Sequence, residues 1–319
     1  MTRTIDVRVT RRRQEAEGVC AIELQDVAGR ELPAFTSGAH VDLVVRDGLV
    51  RQYSLCSSPQ ERSRYEIGVL RCPRSRGGSA AVHETLHEGA IAQISEPRNL
   101  FPLVPARRSL LLAGGIGITP ILSMAGTLHG SGAQFGLHYS ARSPARAAFR
   151  ERLLRAPFSD RVRFHFSDGG NEHKLDPAAL LAQCERDTHL YVCGPAGYLE
   201  AITSCARQLG FGDAQIHLER FAPESAASAD GSAFELQIAS SGRRLSVPPG
   251  RTALEVLTEA GIDVPMSCEQ GICGTCLTRV VAGVPDHRDT FLTDQEHARN
   301  DQMAVCCSRA RSPVIVLDL

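Results

Sequence analysis

The sequence contains no run of about 18 apolar residues, so nothing in it reads as a membrane-crossing helix. Its opening segment, 1–13, alternates charged and β-branched side chains and lacks the apolar centre of a secretion signal, from which a cytoplasmic location is expected. Neither sign of charge is in excess: a net charge of -1 leaves no basic face for nucleic acid and no acidic tail. There is no internal repeat. His83, His87, His129, His138, His165, His173, His189 and His217 show no metal-ligand spacing and read as surface or internally satisfied residues. With no secretion signal, an odd count of 11 cysteines argues against a disulfide framework and for metal or redox chemistry.

What is present suggests several ordinary globular domains. A chain of 319 residues suffices for two or three, and shares of 43% hydrophobic and 22% charged residues can fill their cores. The first hundred residues carry short β-branched or alternating segments over 5–10, 20–24, 40–45, 65–70 and 91–95, as in a small antiparallel barrel. From Ser109 the texture changes: apolar runs over 110–113, 135–139, 162–166, 190–193 and 216–218 alternate with helix-like stretches, which predicts a parallel α/β sheet. The small polar segment 223–232 has the composition of a tether. Beyond it, 234–238 and 244–247 suggest a hairpin, and 252–260 a short helix stopped by Gly261. The expected division is a barrel domain over 1–104, a nucleotide domain over 105–224, a linker over 225–232 and a small α+β domain over 233–319.

Five cysteines crowd the last quarter. Cys268, Cys273 and Cys276, followed far downstream by Cys306, have the plant-type ferredoxin spacing for a [2Fe-2S] cluster. Gly271 and Gly274 between them permit backbone angles and a close approach to sulfur that a side chain would hinder. A structural zinc site fits less well, because zinc ribbons pair two short Cys-x-x-Cys elements. Cys306 and Cys307 are adjacent on an extended segment, so only one can face the cluster. Cys20, Cys56, Cys72, Cys184 and Cys205 stand singly and read as small buried hydrophobes. This stretch resembles the plant-type ferredoxin fold through Ser308-Arg309-Ala310 to a final strand over 314–319, and the family pattern implies Cys306 as fourth ligand, with Cys307 the small apolar residue before the serine.

Two further strands end in turns that suit a dinucleotide. Leu110-Leu111-Leu112-Ala113 runs into Gly114-Gly115-Ile116-Gly117-Ile118-Thr119-Pro120, where glycines let a pyrophosphate approach the backbone and a helix amino terminus. Pro120 stands where the Rossmann fingerprint has its third glycine. Tyr191-Val192-Cys193-Gly194-Pro195 is the second such strand end. Together they resemble the pyridine-nucleotide domain of the ferredoxin-NADP reductase superfamily, which implies that Cys193 lies beside the nicotinamide.

Arg51-Gln52-Tyr53-Ser54 and, downstream, Arg76-Gly77-Gly78-Ser79 are similar to the flavin motifs of that superfamily. An arginine can fork onto phosphate, a tyrosine ring can lie against a flavin, and a serine hydroxyl can reach its ring nitrogens. Gly77-Gly78-Ser79 opens a helix-like stretch to Leu86, whose free amides suit a phosphate. The resemblance adds Leu70 and Arg71 to the flavin residues, and makes Phe221 the aromatic that covers the flavin where the nicotinamide must land. A core phenylalanine is the alternative.

The order of the three domains resembles the phthalate dioxygenase reductase family. That resemblance implies FMN, NADH and a [2Fe-2S] cluster in one soluble, monomeric chain, with a Rieske-type oxygenase or O-demethylase as electron acceptor. The short segment 71–78, with no added aromatic to stack an adenine, favours FMN over FAD. For the donor, Ser140 and Arg142 after one strand and Asp168 after the next border the expected nucleotide site, and Asp168 argues for NADH. Two other functions remain open: a self-contained ferric or quinone reductase, and a redox sensor without turnover.

Overall fold

The computed structural model describes residues 4–46, 49–72, 77–170, 173–221 and 231–319. Internal contacts gather the chain into two units, Met1–Arg220 and Phe221–Leu319. Most of the expected tether, 222–230, lies outside the described residues.

The first unit opens with an antiparallel sheet of β1 (Thr4–Ala16), β2 (Val19–Asp26), β3 (His40–Arg46), β4 (Leu49–Ser54), β5 (Tyr65–Leu70) and β6 (Ile91–Ser95). Its six strands run in the order β4-β3-β6-β1-β2-β5. A bridge between Leu55 and Ile67 brings the two edges together, so the sheet closes as a barrel around Val7, Ile22, Leu24, Val41, Leu43 and Ile94. Alternation explains this: Ile5, Val7 and Val9 face inward on β1 and the residues between them face water. β4 was not among the expected strands; its polar Arg51, Gln52 and Ser54 hide the period. α1 (Gly78–Thr85) follows β5.

A parallel sheet comes next, with β7 (Arg108–Gly114), α2 (Ile118–Gly130), β8 (Gln134–Ala141), α3 (Arg150–Leu154), β9 (Val162–Phe166), α4 (Pro177–Leu181), β10 (Thr188–Cys193), α5 (Ala196–Gln208) and β11 (Ile216–Glu219). The strand order is β11-β10-β7-β8-β9. β7 is central and buried on both faces, as its unbroken apolar run predicts. One continuous core joins barrel to sheet, holding Val19, Ala21 and Phe101 together with Leu111, Ile121 and Tyr139. Polar contacts reinforce that seam. Ser123 Oγ on α2 donates to the Ser57 carbonyl, Arg152 on α3 reaches Glu66 on β5 at 2.5 Å, and Glu66 also meets Arg13 at 2.6 Å.

The second unit holds β12 (Phe234–Ile238), β13 (Arg244–Val247), α6 (Ala253–Glu259), β14 (Leu277–Ala282), β15 (Pro285–Asp286), α7 (Asp294–Arg299), β16 (Gln302–Ala304), β17 (Arg309–Ala310) and β18 (Val314–Leu317). Its main sheet is ordered β13-β12-β18-β14-β16, with β12 and β18 parallel. Thr252 caps α6 in a reciprocal box with Glu255, which fixes where that helix begins. Among the described residues no helix is long and apolar enough to cross a membrane.

Glu66 is 1% exposed and answers two guanidinium groups that are themselves partly hydrated. Replacing it with alanine takes the carboxylate from Arg152 while Arg13 keeps Glu15 and Glu23, so Glu66→Ala is expected to cost about 2 kcal/mol, below the usual range for a broken buried pair because both arginines reach water. A lower denaturant midpoint for the first unit, followed by far-ultraviolet circular dichroism, checks this.

Candidate functional site

The parallel sheet delivers its strand ends to one edge. β7 is flanked by β8 on one side and β10 on the other, so the chain reverses direction there, the place where open α/β sheets bind ligands. At that point Gly117 lies so close to the end of β10 that an added Cβ would stand 2.2 Å from the Cys193 carbonyl oxygen. Gly194 is equally tight: its Cβ would meet the Tyr198 ring at 2.8 Å and the Gly114 Cα at 3.0 Å. Gly115 takes a positive φ of 56°. The three glycines therefore let the two turns touch backbone to backbone. Thr119 donates to the Ile116 carbonyl at 3.0 Å, and Thr119 and Pro120 are buried in the first turn of α2. Pro195 precedes α5 as its N-cap.

On the flank of this edge the buried hydroxyls of Ser140 and Tyr198 approach each other and meet no further hydrogen-bond partner. Both border a cavity of about 250 Å³ that also touches His165, Ser167 and Lys174. Hydroxyls so placed beside a cavity suit the polar half of a dinucleotide. Arg142 and Asp168 are exposed at the adjoining strand ends, where the Asp168 amide donates to the Arg142 carbonyl at 3.0 Å.

Ser54, Cys193 and Glu219 meet across the seam between barrel and sheet. The Ser54 hydroxyl donates to Glu219 Oε2 at 3.3 Å, and Cys193 Sγ lies 3.9 Å from the same oxygen. Burial pushes the Glu219 carboxyl up to about 8, against smaller opposing effects of the Ser54 and Cys193 hydrogen bonds. Burial raises the Cys193 thiol as well, and the neighbouring Glu219 adds to the shift. At neutral pH this is a cluster of uncharged donors. Sequence reasoning missed Glu219, although it sits two residues before Phe221; a lone glutamate at a strand end carries no signal until the sheet brings β11 beside β10.

The flavin motif residues divide between the faces of β4. Arg51 lies against the start of α1, where a Cβ on Gly78 would stand 2.6 Å from its Nε. Gly77 precedes that helix with φ of 87°, and Ser79 Oγ accepts from the Cys72 amide at 3.0 Å. Guanidinium and helix amino terminus thus converge, an arrangement with the donors to hold a phosphate. Tyr53 is half-buried beside the barrel core, and burial raises its phenol. Gln52 points the other way, to Asp42 Oδ1 at 3.1 Å and His40 Nε2 at 3.3 Å, so its side chain is not gathered with Arg51 and Tyr53. Leu70 packs on the seam core, while the Arg71 side chain is exposed and pairs with Glu84 at 3.2 Å. Arg76 lies outside the described residues. Phe221 is 38% exposed, which removes the core-phenylalanine alternative.

In the second unit Cys268, Cys273, Cys276 and Cys306 are all buried. Cys268 and Cys273 lie within hydrogen-bond reach, as do Cys276 and Cys306. Glu269, Gly271 and Gly274 bend the loop through positive φ of 54°, 72° and 69°. The Gln270 amide donates to Cys268 Sγ at 3.3 Å. Four sulfurs crowded in this way can ionise together only around a cationic centre, so the donor set fits an iron–sulfur cluster. Cys306 and Cys307 lie in a turn after β16 and not on the expected extended segment; Cys307 Sγ approaches the Ala304 carbonyl at 3.7 Å, lies within reach of the Cys306 thiol, and fills the space where a Gly271 Cβ would be. Of the single cysteines, Cys20 and Cys56 are buried as expected, but Cys72 is exposed because the strand has ended before it.

Residues 236–311 match the family model described as a 2Fe-2S iron-sulfur cluster binding domain. The chain is 54% identical over 316 residues to the vanillate O-demethylase oxidoreductase of Pseudomonas sp. (strain HR199 / DSM 7063), covering 99% of this chain and 100% of that one. It is 51% identical to the vanillate O-demethylase oxidoreductase of Pseudomonas putida, covering 99% and 100%. Among solved structures it superposes on phthalate dioxygenase reductase, described as a modular structure for electron transfer from pyridine nucleotides to [2Fe-2S], with a TM-score of 0.81 and 36% identity over 99% of this chain and 98% of that one. Matched from end to end by relatives of this similarity, the chain belongs to the phthalate dioxygenase reductase family of electron-transfer oxidoreductases.

Proposed function

We propose that this chain is the reductase component of a two-component Rieske-type oxygenase, a dioxygenase or an O-demethylase, and that it moves electrons from NADH through FMN and a [2Fe-2S] cluster to the oxygenase. The observation that carries this reading is the meeting of Ser54, Cys193 and Glu219, from barrel, β10 and β11, where a flavin motif and a nucleotide turn adjoin. FMN supplies the exchange between a two-electron hydride donor and a one-electron acceptor.

The chain's residues do the positioning. Arg51, Gly77, Gly78 and Ser79 hold the flavin phosphate, with Tyr53, Leu70 and the strand backbones of Gln52 and Arg71 along the flavin. Gly115, Gly117, Thr119, Pro120, Gly194 and Pro195 shape the pyrophosphate turns, and Ser140, Arg142 and Asp168 border the adenosine half. Asp168 repels a 2′-phosphate and so favours NADH. Phe221 covers the flavin until the nicotinamide displaces it. Ser54 donates toward the flavin ring, Cys193 packs beside the nicotinamide, and Glu219 holds a proton next to both. Cys268, Cys273, Cys276 and Cys306 ligate the cluster. The domain bounds follow as 1–104, 105–224 and 233–319, with a linker over 225–232. The resemblance to the phthalate dioxygenase reductase family supports the further assignment of the chain as a cytoplasmic monomer.

The purified protein is expected to release FMN on heating, to reduce cytochrome c with a clear preference for NADH over NADPH, and to support turnover by an oxygenase encoded nearby. Recovery of FAD, an NADPH preference, or failure to support turnover by any such oxygenase each overturns its part of this reading.

Glu219 is protonated below about 8 and ionised above it. Ionisation puts negative charge beside the position that receives a hydride. Stopped-flow reduction by NADH is therefore expected to slow as pH rises through about 8, and Glu219→Gln to abolish that titration while the flavin stays bound.

For the adjacent cysteines, Cys306→Ser is expected to bleach the visible cluster spectrum, whereas Cys307→Val keeps both the spectrum and reduction by NADH. The reverse pattern would exchange the assignment.

A further inference from the structure

His287 and Asp289 follow β15, and His297 lies on α7; none belongs to the electron-transfer site. One donor atom from each falls within 4.8 Å of the others. Asp289 is fully buried, and its Oδ1 stands 3.7 Å from His287 Nδ1 and 3.3 Å from His297 Nε2. Donors around a tetrahedral zinc ion, with bonds of about 2.0–2.1 Å, stand roughly 3.3 Å apart, so carboxylate and imidazoles are already spaced for one ion.

A second observation points the same way. The His287 side chain is only 8% exposed, yet neither of its ring nitrogens has a hydrogen-bond partner. A buried imidazole held so loosely is costly, its polar neighbours being Asn300, the His297 backbone and Asp289. Burial lowers the His287 pKa, and repulsion from His297 adds to this against the pull of Asp289, so the ring is neutral, the form that binds metal. Asp289 is oriented from behind by the Leu292 amide at 2.9 Å and Ser308 Oγ at 3.5 Å, as a ligating carboxylate needs.

We propose that His287, Asp289 and His297 form a binding site for a divalent transition ion of the zinc class, with a coordination position open on the His297 side. The His287 and His297 rings stack with centroids 4.4 Å apart and planes 25° from parallel. His297, 25% exposed on α7, turns on its outer side to bring Nε2 onto the shared ion. The two nitrogens select zinc over magnesium or calcium, which prefer oxygen donors. Thr290, next to Asp289, donates its amide to the Gly271 carbonyl at 2.9 Å, so a bound ion would also brace the cysteine loop.

The test uses the holoprotein, freed of loose metal on a chelating resin, with zinc chloride titrated against a fluorescent zinc indicator and magnesium chloride as control. One zinc per chain is expected at micromolar affinity, with the visible cluster spectrum unchanged. His297→Gln, a change at the half-buried side of the site, and His287→Gln, each checked for an unchanged far-ultraviolet circular dichroism spectrum, are expected to weaken binding at least about tenfold. No saturable zinc uptake, uptake unchanged in both variants, or magnesium bound as well as zinc overturns the proposal.

Discussion

The approach of Gly117 to the Cys193 carbonyl is the constraint on which the first unit's site depends. A single methyl group would overlap that oxygen, so the turns after β7 and β10 can share one edge only because residue 117 has no side chain. Once they touch, Cys193 is held at the end of a buried strand, and its parallel neighbour β11 must end at Glu219. Ser54 then needs only the barrel's own register, His40 opposite Ser54, to arrive beside that carboxyl. Packing geometry thus places the chemistry; no separate device holds these three side chains together.

That arrangement needs barrel and sheet to behave as one body. The shared core supplies most of the cohesion, and it leaves little room: a Cβ on Gly68 of β5 would stand 2.7 Å from the Thr119 methyl and 3.1 Å from the Phe149 ring. Close packing of this kind resists sliding, because any shift costs many small contacts at once. The Arg13–Glu66–Arg152 group adds direction, since a buried carboxylate between two guanidinium groups is satisfied in one relative placement of the two layers.

Much of this was legible beforehand, for identifiable reasons. The parallel strands announced themselves because burial on both faces demands unbroken apolar runs, and β7 to β11 fall on the runs read from the sequence. The 2Fe-2S domain was legible because three sulfurs on one loop leave a spacing that few other needs produce. β4 was not, because a strand that carries Arg51 and Tyr53 on one side and turns Gln52 to Asp42 on the other has no apolar alternation to display. Glu219 was hidden for a different reason. Its importance arises from strand adjacency, which local sequence does not encode, and from burial that turns an ordinary carboxylate into a proton holder.

Gln52 and Cys307 show the same limit from the opposite side. Gln52 belongs to the expected flavin motif yet turns to Asp42, and Cys307, next to Cys306, packs on Gly271 and approaches the Ala304 carbonyl. For Cys307 the strand period does not decide the matter, because Cys306 and Cys307 lie in a turn after β16 and not on the extended segment expected from the sequence. The same period applied to β4 assigns Arg51 and Tyr53 to one face and Gln52 to the other. A motif read as a contiguous string therefore overstates a site on a strand. On a loop such as Cys268 to Cys276, where positive φ angles break the alternation, contiguous residues can converge, and all three cysteines are buried together.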